Sequence, residues 1–222
     1  MLDKSSYSIS LGNTHQDGII SSTGMDRYNV KVSADTKLTN NWSSGFTANY
    51  ITTSIDKAVT SGNGLLRTVY AAPPSYDLAG IPSHVDGNPY TQNSFRGSFD
   101  NAYWAMENNK FTEDTNRFFG NVYASYQTDF GTTNHKLNAK YMVGVDAYTT
   151  HYVDSYGYGS NTGGGRGQIE NYGWTNATYN SLLTINYDWH INEDWGLNAV
   201  VGNEIIQSNR KKYYEYGTNY NF

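Results

Sequence analysis

The 222-residue sequence predicts an all-β chain: an antiparallel up-and-down meander of about seven long strands with long loops on one edge. Three observations predict it. Apolar and polar residues alternate with a period of two in segment after segment, the signature of strands with one face in each of two environments. The segments are joined by connections that alternate between short and long. The composition joins 15% aromatic residues, 21 of them Tyr, to only 37% hydrophobic residues and a mean hydropathy of −0.67. That is too aromatic for disorder and too poor in Leu and Ile for a thick conventional core.

In chain order, "SYSISLGN" sets Tyr7, Ile9 and Leu11 on one face. "RYNVKVSADTKL" sets Tyr28, Val30, Val32, Ala34 and Leu38 against Asn29, Lys31, Ser33, Asp35 and Lys37. "WSSGFTANYITT" opposes Trp42, Phe46, Ala48 and Tyr50 to Ser43, Thr47 and Asn49. "FFGNVYASYQTDF" and "KLNAKYMVGVDAY" continue the beat through Phe118, Val122, Ala124, Tyr126, Phe130 and then Leu137 to Ala147. "SLLTINYDWHI" and "WGLNAVVGNEII" close the series with Leu183, Ile185, Tyr187, Trp189 and then Leu197, Ala199, Val201.

Short turns are expected at Thr39–Trp42, Gly131–His135 and Ile191–Trp195, and longer loops at His15–Gly24, Ile55–Glu113 and His151–Asn176. Sorting of loops by edge belongs to an up-and-down barrel rather than to a sandwich with crossovers. Trp42, Phe130, Trp189 and Trp195 lie beside the short turns. Aromatics are common in strands, but recurrence at all three turns favours a membrane-interface girdle. In such a wall the apolar side of Val30 and Val32 faces lipid and the polar side a wet interior. The fold is therefore expected to be a partial transmembrane β-barrel wall, each strand crossing with about 9–11 residues.

Composition also removes whole classes. A net charge of −5 disfavours nucleic acid, and the absence of cysteine removes disulfides and thiolate metal sites. No run approaches a membrane helix of about 18 apolar residues, and "MLDKSSYSIS" carries no signal-peptide pattern.

The stretch "YSISLGNTHQDGIISSTGMDRYNVKVSADTKLTNNWSSGFTANY" resembles an early barrel segment of the SusC/RagA-type TonB-dependent outer-membrane transporters, through Asp17, Gly18, Ile19, Ile20, Arg27, Tyr28, Asn29, Asn49 and Tyr50. "DGNPY" (Asp86–Tyr90) and "NAYWAMENNKFTEDTNRFFGNVYASY" (Asn101–Tyr126) look like the same family's next segments, so the likeness runs along essentially the whole chain. The resemblance implies a signal peptide, a plug domain, a TonB box and about 22 strands. The first three are not visible, so residues 1–222 read as one partial outer-membrane β-barrel segment, with Met1 either an initiator or an internal residue. The free edges of such a piece, near Ile9 and Val201, are expected to favour association with another chain. The resemblance further implies import of oligosaccharides or peptides, energy relayed by TonB through the plug, contact with outer-membrane lipid, and a SusD-like surface lipoprotein sealed against the long loops.

Candidate ligand contacts are Tyr90, Tyr103 and Trp104 in the long loop, whose flat rings suit sugar stacking; the plain alternative is an ordinary ordered loop. Within that loop "GLLRTVYAAPP" suggests a short helix turning Leu65, Leu66, Val69 and Tyr70 inward and ended by Pro73-Pro74, and "AYWAMEN" a second. "GYGSNTGGGRG" (Gly157–Gly167) lacks the Lys and Ser/Thr of a phosphate loop and reads as a mobile loop tip. "DFG" (Asp129–Gly131) is a strand ending in a turn, and "NRKKYYEY" (Asn209–Tyr216) reads as a solvated strand end or a contact for lipopolysaccharide phosphates. The five histidines (His15, His84, His135, His151, His190) show no metal-ligand spacing, and Glu193 and Asp194 point apart in a turn. No catalytic or cofactor-binding constellation is present, so the chain is not expected to be an enzyme. The competing reading is a soluble or surface β-rich carbohydrate-binding module.

Overall fold

A computed structural model describes residues 5–59 and 64–219; the reading of Met1 lies outside them. Seven strands form one antiparallel sheet in sequence order: β1 (Ser5–Asp17), β2 (Gly24–Lys37), β3 (Trp42–Lys57), β4 (Lys110–Thr128), β5 (His135–Tyr158), β6 (Arg166–His190) and β7 (Gly196–Thr218). Two short helices, α1 (Leu65–Ala71) and α2 (Ala102–Asn108), lie between β3 and β4. The meander is as expected, and the sheet is not closed: β1 and β7 each pair on one side only.

Each short turn is built on a side chain that accepts the backbone N–H groups the chain reversal leaves open. Thr39 Oγ1 accepts from Asn41 and Trp42 (3.2 and 3.0 Å), Asp129 Oδ1 from Gly131 (3.0 Å), and Asn192 Oδ1 from Asp194 and Trp195 (3.0 and 2.8 Å). In the middle turn Phe130 and Gly131 both take positive φ, +54° and +73°, which Gly131 adopts without steric cost.

Two of the three long loops are shorter than the sequence suggested. The first shrinks to residues 18–23, no longer than the turn at 129–134, and the third to residues 159–165. The reason is that pairing continues beyond the apolar stretches, in β1 and β2 up to Asp17↔Gly24 and in β5 and β6 from Tyr148↔Asn176 up to Tyr158↔Arg166. The two edges therefore differ by strand extension and one long connection, residues 58–109, more than by loop length.

The register shows how the sheet is shaped. One rung joins Leu11, Val30, Tyr50, Phe118, Ala147 and Ala177, and ends on polar Asn209. A rung nearer the short turns begins on Ser5, Thr36 and Ser44 and continues through Ala124, Tyr141 and Leu183. The apolar band thus descends toward the short turns from β1 to β7, by about one residue per strand. With about 3.4 Å per residue and about 4.8 Å between strands, that stagger corresponds to a strand tilt of about 35°. On β5 the band runs from Leu137 to Ala147, about 34 Å along the strand and about 28 Å when tilted.

All the band residues share the convex face, where Val30, Val143, Leu183 and Ile185 are exposed and no second sheet covers them among the described residues. The concave face is polar. An open groove of about 510 Å³ is lined there by Lys31, Asn49, Asn121, Asp146, Thr178 and Asn180 among others. On the same face Arg117 binds Asp146 through both Nε (2.8 Å) and Nη2 (2.5 Å), Tyr123 donates to Asp35 (2.6 Å), and Asn180 Nδ2 donates to Glu204 (2.6 Å) while its Oδ1 is left without a partner. The buried core is small and lies where the long connection meets β4, enclosing Phe99, Ala102 and Trp104 of the connection and Phe111 of the strand.

Candidate functional site

The connection 58–109 is organised by two adjacent polar residues, Asp100 and Asn101, both buried. Asn101 caps α2: its Oδ1 accepts from the backbone N–H of Tyr103 and Trp104 (3.0 and 3.2 Å), satisfying groups that a helix start leaves open. Its own Nδ2 donates to Asn93 O (2.8 Å). Asp100 reaches out of the loop. Its Oδ1 accepts from Gln92 Nε2 (2.8 Å) and the backbone N–H of Asn161 (2.6 Å), and its Oδ2 accepts from Ser160 Oγ (2.6 Å). Asn161 Nδ2 donates in turn to Phe99 O (2.8 Å).

The tip between β5 and β6 is therefore fastened to the long connection. This corrects the expectation of a mobile tip at Gly157–Gly167: Ser160 is fully enclosed, and a buried carboxylate with three donors holds the segment in place. Gly159 takes φ +98°, and a Cβ there would lie 2.1 Å from Tyr90 O, so the close approach requires glycine.

The three proposed ligand-contact residues fall into two groups. Tyr90 is exposed and packs edge-on against Tyr158 (centroids 5.6 Å apart), and Tyr103 is also exposed. Trp104 is 0% exposed, and its Nε1 donates to Pro89 O (2.8 Å). Trp104 offers no open face for stacking; its bulk fills the small core beneath the tip. Helix α1 forms and stops before Pro73 as expected, since the residue before proline is disfavoured in α geometry. Its orientation is not as expected. Thr68 is the buried residue, donating to Asp100 O (2.9 Å), whereas Leu66, Val69 and Tyr70 face solvent. The open carbonyl of Asp100 draws the hydroxyl inward, and in fewer than two turns only one face can be covered. Leu65 alone turns toward a small pocket with Ile20, Val59, Met106 and Phe111.

Trp42, Phe130, Trp189 and Trp195 all stand exposed at the short-turn end. Trp42 packs on Tyr126 (5.0 Å), and Trp189 stacks on His135 (5.6 Å). Among the described residues no group of three metal-binding side chains comes together.

Sequence reasoning missed a row of rings on the concave side of the strand extensions. Glu113, Tyr152, Tyr172 and Tyr214 stand in one register across β4 to β7. Tyr152 and Tyr172 lie face to face, 4.9 Å apart and 6° from parallel, the spacing that adjacent strands impose. Lys57 caps the free face of Tyr152 at 4.4 Å, and Tyr214 continues the row at 6.5 Å from Tyr172. Each phenol is paired with a carboxylate: Tyr152 with Glu113, Tyr172 with Asp154 (3.1 Å), Tyr214 with Glu170. This row lies well above the upper end of the apolar band at Ala147 and Ala177. Burial, and then Asp154, pushes the Tyr172 phenol up to about 12; burial and then Glu113 raise Tyr152, and loss of hydration and then Glu170 raise Tyr214. The signal was available, because Tyr152, Tyr156 and Tyr158, and Tyr172 with Trp174, keep the two-residue beat on the face opposite Val145 and Ala147.

A staggered antiparallel meander, apolar outside and polar inside, is an open arc of β-barrel wall. Solved structures with this fold include the RagAB peptide importer in its closed-closed state, with a TM-score of 0.76 at 16% identity over 98% of this chain and 24% of that one. Its open-open state gives 0.75 at 17% identity over 97% and 24%, and a further structure of the RagAB peptide transporter 0.72 at 14% over 98% and 24%. The chain thus spans about a quarter of the length of the chains it matches, and at these identities the likeness is one of fold. No family model and no curated protein matches the sequence.

Proposed function

We propose that the chain is part of the barrel wall of a TonB-dependent outer-membrane importer of the SusC/RagA kind, taking up oligosaccharides or peptides together with a SusD-like surface lipoprotein. The observation that carries this reading is the apolar band on the convex face, uncovered among the described residues, about 28 Å tall and staggered by about one residue per strand. In water such a face costs free energy in proportion to its area, and a soluble carbohydrate-binding module would have to cover it. In lipid it is matched, and Trp42, Phe130, Trp189 and Trp195 then sit at the near interface, where half-wet rings are favoured. The sequence resemblance and the fold likeness to the RagAB importer support the same reading. Tyr90 and Tyr103, exposed on the fastened loop, are the ligand contacts of this proposal, and the loop surface is where the lipoprotein seals.

The test uses single cysteines at Val143, Gly144, Val145 and Asp146 in the complete native protein, reconstituted in vesicles and labelled with an environment-sensitive dye. Brominated lipid is expected to quench the dye at Val143 and Val145 and to spare it at Gly144 and Asp146. Equal quenching at all four positions, or none, would overturn the reading.

A further inference from the structure

We propose that the connection 58–109 is a fixed constriction at the mouth of the barrel, held over the concave face by Asp100, and that it limits the size of solute able to reach that face. The inference rests on the importer reading, in which the arc closes into a barrel, and adds to it what the mouth excludes. Where the connection meets the strands, it meets residues of the concave face. Lys57 and Phe111 stand opposite each other beside its two ends, in the concave phase of β3 and β4. Leu65 of α1 and Met106 of α2 close on them around an apolar pocket of about 30 Å³. Phe111 packs edge-on against Tyr156 (5.1 Å) and Tyr90 against Tyr158 (5.6 Å), two rings of β5 in the same phase as Tyr152. The connection therefore leans inward across β3 to β5 rather than out over the convex side.

Fixation comes from the residues that fasten the tip. Besides the three donors to Asp100, the Gly157 N–H donates to Asn109 Oδ1 (2.9 Å), Gln92 Nε2 to Gly159 O (2.9 Å) and Asn161 Nδ2 to Phe99 O (2.8 Å). Thr68 of α1 donates to Asp100 O and the adjacent Asn101 caps α2, so both helices are tied to the same point. Buried polar groups are costly to leave without partners, and these all join one segment to one tip. They break together or not at all, so opening is a cooperative event and the closed arrangement dominates. A lid that opened for each solute would need one weakly held edge; here both helices and the tip are held. What passes is then set by the closed loop, and Asp100 is the residue that positions it.

The test labels the complete native protein from outside, in intact cells, through a single cysteine at Asn176, which lies on the concave face two same-face positions below Tyr172. The reagents are a small maleimide and maleimides carrying poly(ethylene glycol) chains of increasing length. The labelling rate is expected to fall steeply with chain length. Asp100→Ala is expected to raise the rate with the longest reagent about tenfold or more. Gly159→Ala puts a Cβ 2.1 Å from Tyr90 O, wedging the same contact without removing a bonding group, and is expected to raise it several-fold. A cysteine at Ile19, exposed on the β1–β2 tip, should react alike in every background. A rate at Asn176 that does not depend on chain length, or that neither substitution changes, would overturn the inference. Lipid quenching at Val143 and Val145 distinguishes that failure from failure of the importer reading.

Discussion

The lower and upper halves of the β5–β6 hairpin run on one unbroken ladder, yet they place their chemistry on opposite sides. Below Ala147 and Ala177 the convex face carries Leu137, Tyr141, Val143 and Val145, while the concave face carries Lys140 and Asp146. Above them the convex face turns to Thr149, His151 and Ser155, and the concave face to Tyr152, Tyr156 and Tyr158. Strand phase does not change at the boundary; on the proposed importer reading, the medium on each side does. The backbone supplies a constant period of two, and the surroundings decide which phase is apolar.

The largest effect is expected from placing a charge on the convex face on either side of that boundary. Val143→Arg lies near the middle of the band and is expected to cost about 2–4 kcal/mol, whereas Val153→Arg, on the same face of the same strand but above the band, should cost no more than about 1 kcal/mol. Urea unfolding of the complete protein in lipid vesicles measures both. Equal costs would mean that the boundary at Ala147 is not a boundary between media.

A smaller, local effect separates the sheet from the structure built on it. Asp100→Ala leaves the side chain of Ser160 and the backbone N–H of Asn161 without their acceptor and Gln92 Nε2 with Gly159 O alone, at a cost of about 2–3 kcal/mol for the fastening of tip to loop. The barrel ladders do not involve this residue. Limited proteolysis within residues 64–109 is therefore expected to speed up about 30-fold or more, with global unfolding unchanged. Glu193→Ala in a short turn serves as the control and should change neither. Loss of the whole fold would show that loop and wall are one cooperative unit.

The wall was legible in the sequence and the loop mostly was not, for a physical reason. Val30, Val143 and Leu183 announce their face because each strand repeats the same two-residue pattern, a local property of the chain. The fastening of Ser160 to Asp100 joins residues 60 positions apart, and neither side chain differs in type from any solvated loop residue. A ring in a polar loop suggests an open ligand face at Trp104; only the packing of the tip against α2 shows it enclosed. The Tyr152–Tyr172 row lay between these cases. Its periodicity was readable, but residues 151–176 look like a polar loop when alternation is sought only in aliphatic residues.

The smallest expected effect concerns the upper half alone. Tyr172 titrates near 12 because burial and Asp154 both oppose a phenolate, while in the unfolded chain a tyrosine titrates at about 10. An acid whose pKa is raised by folding binds more protons in the folded state between those two values. Its contribution is therefore fully present below about pH 10, neutral pH included, and is lost as pH rises through about 12. Subtracting the phenolate absorbance titration of Tyr172→Phe from that of the unaltered protein should leave a single late phenol with a midpoint near 12. Over the same window proteolysis of the β5–β6 extension should increase while lipid quenching at Val143 holds. A midpoint near 10 would mean that the rings stand apart in solution, and that the stacked row is not the resting state of the wall.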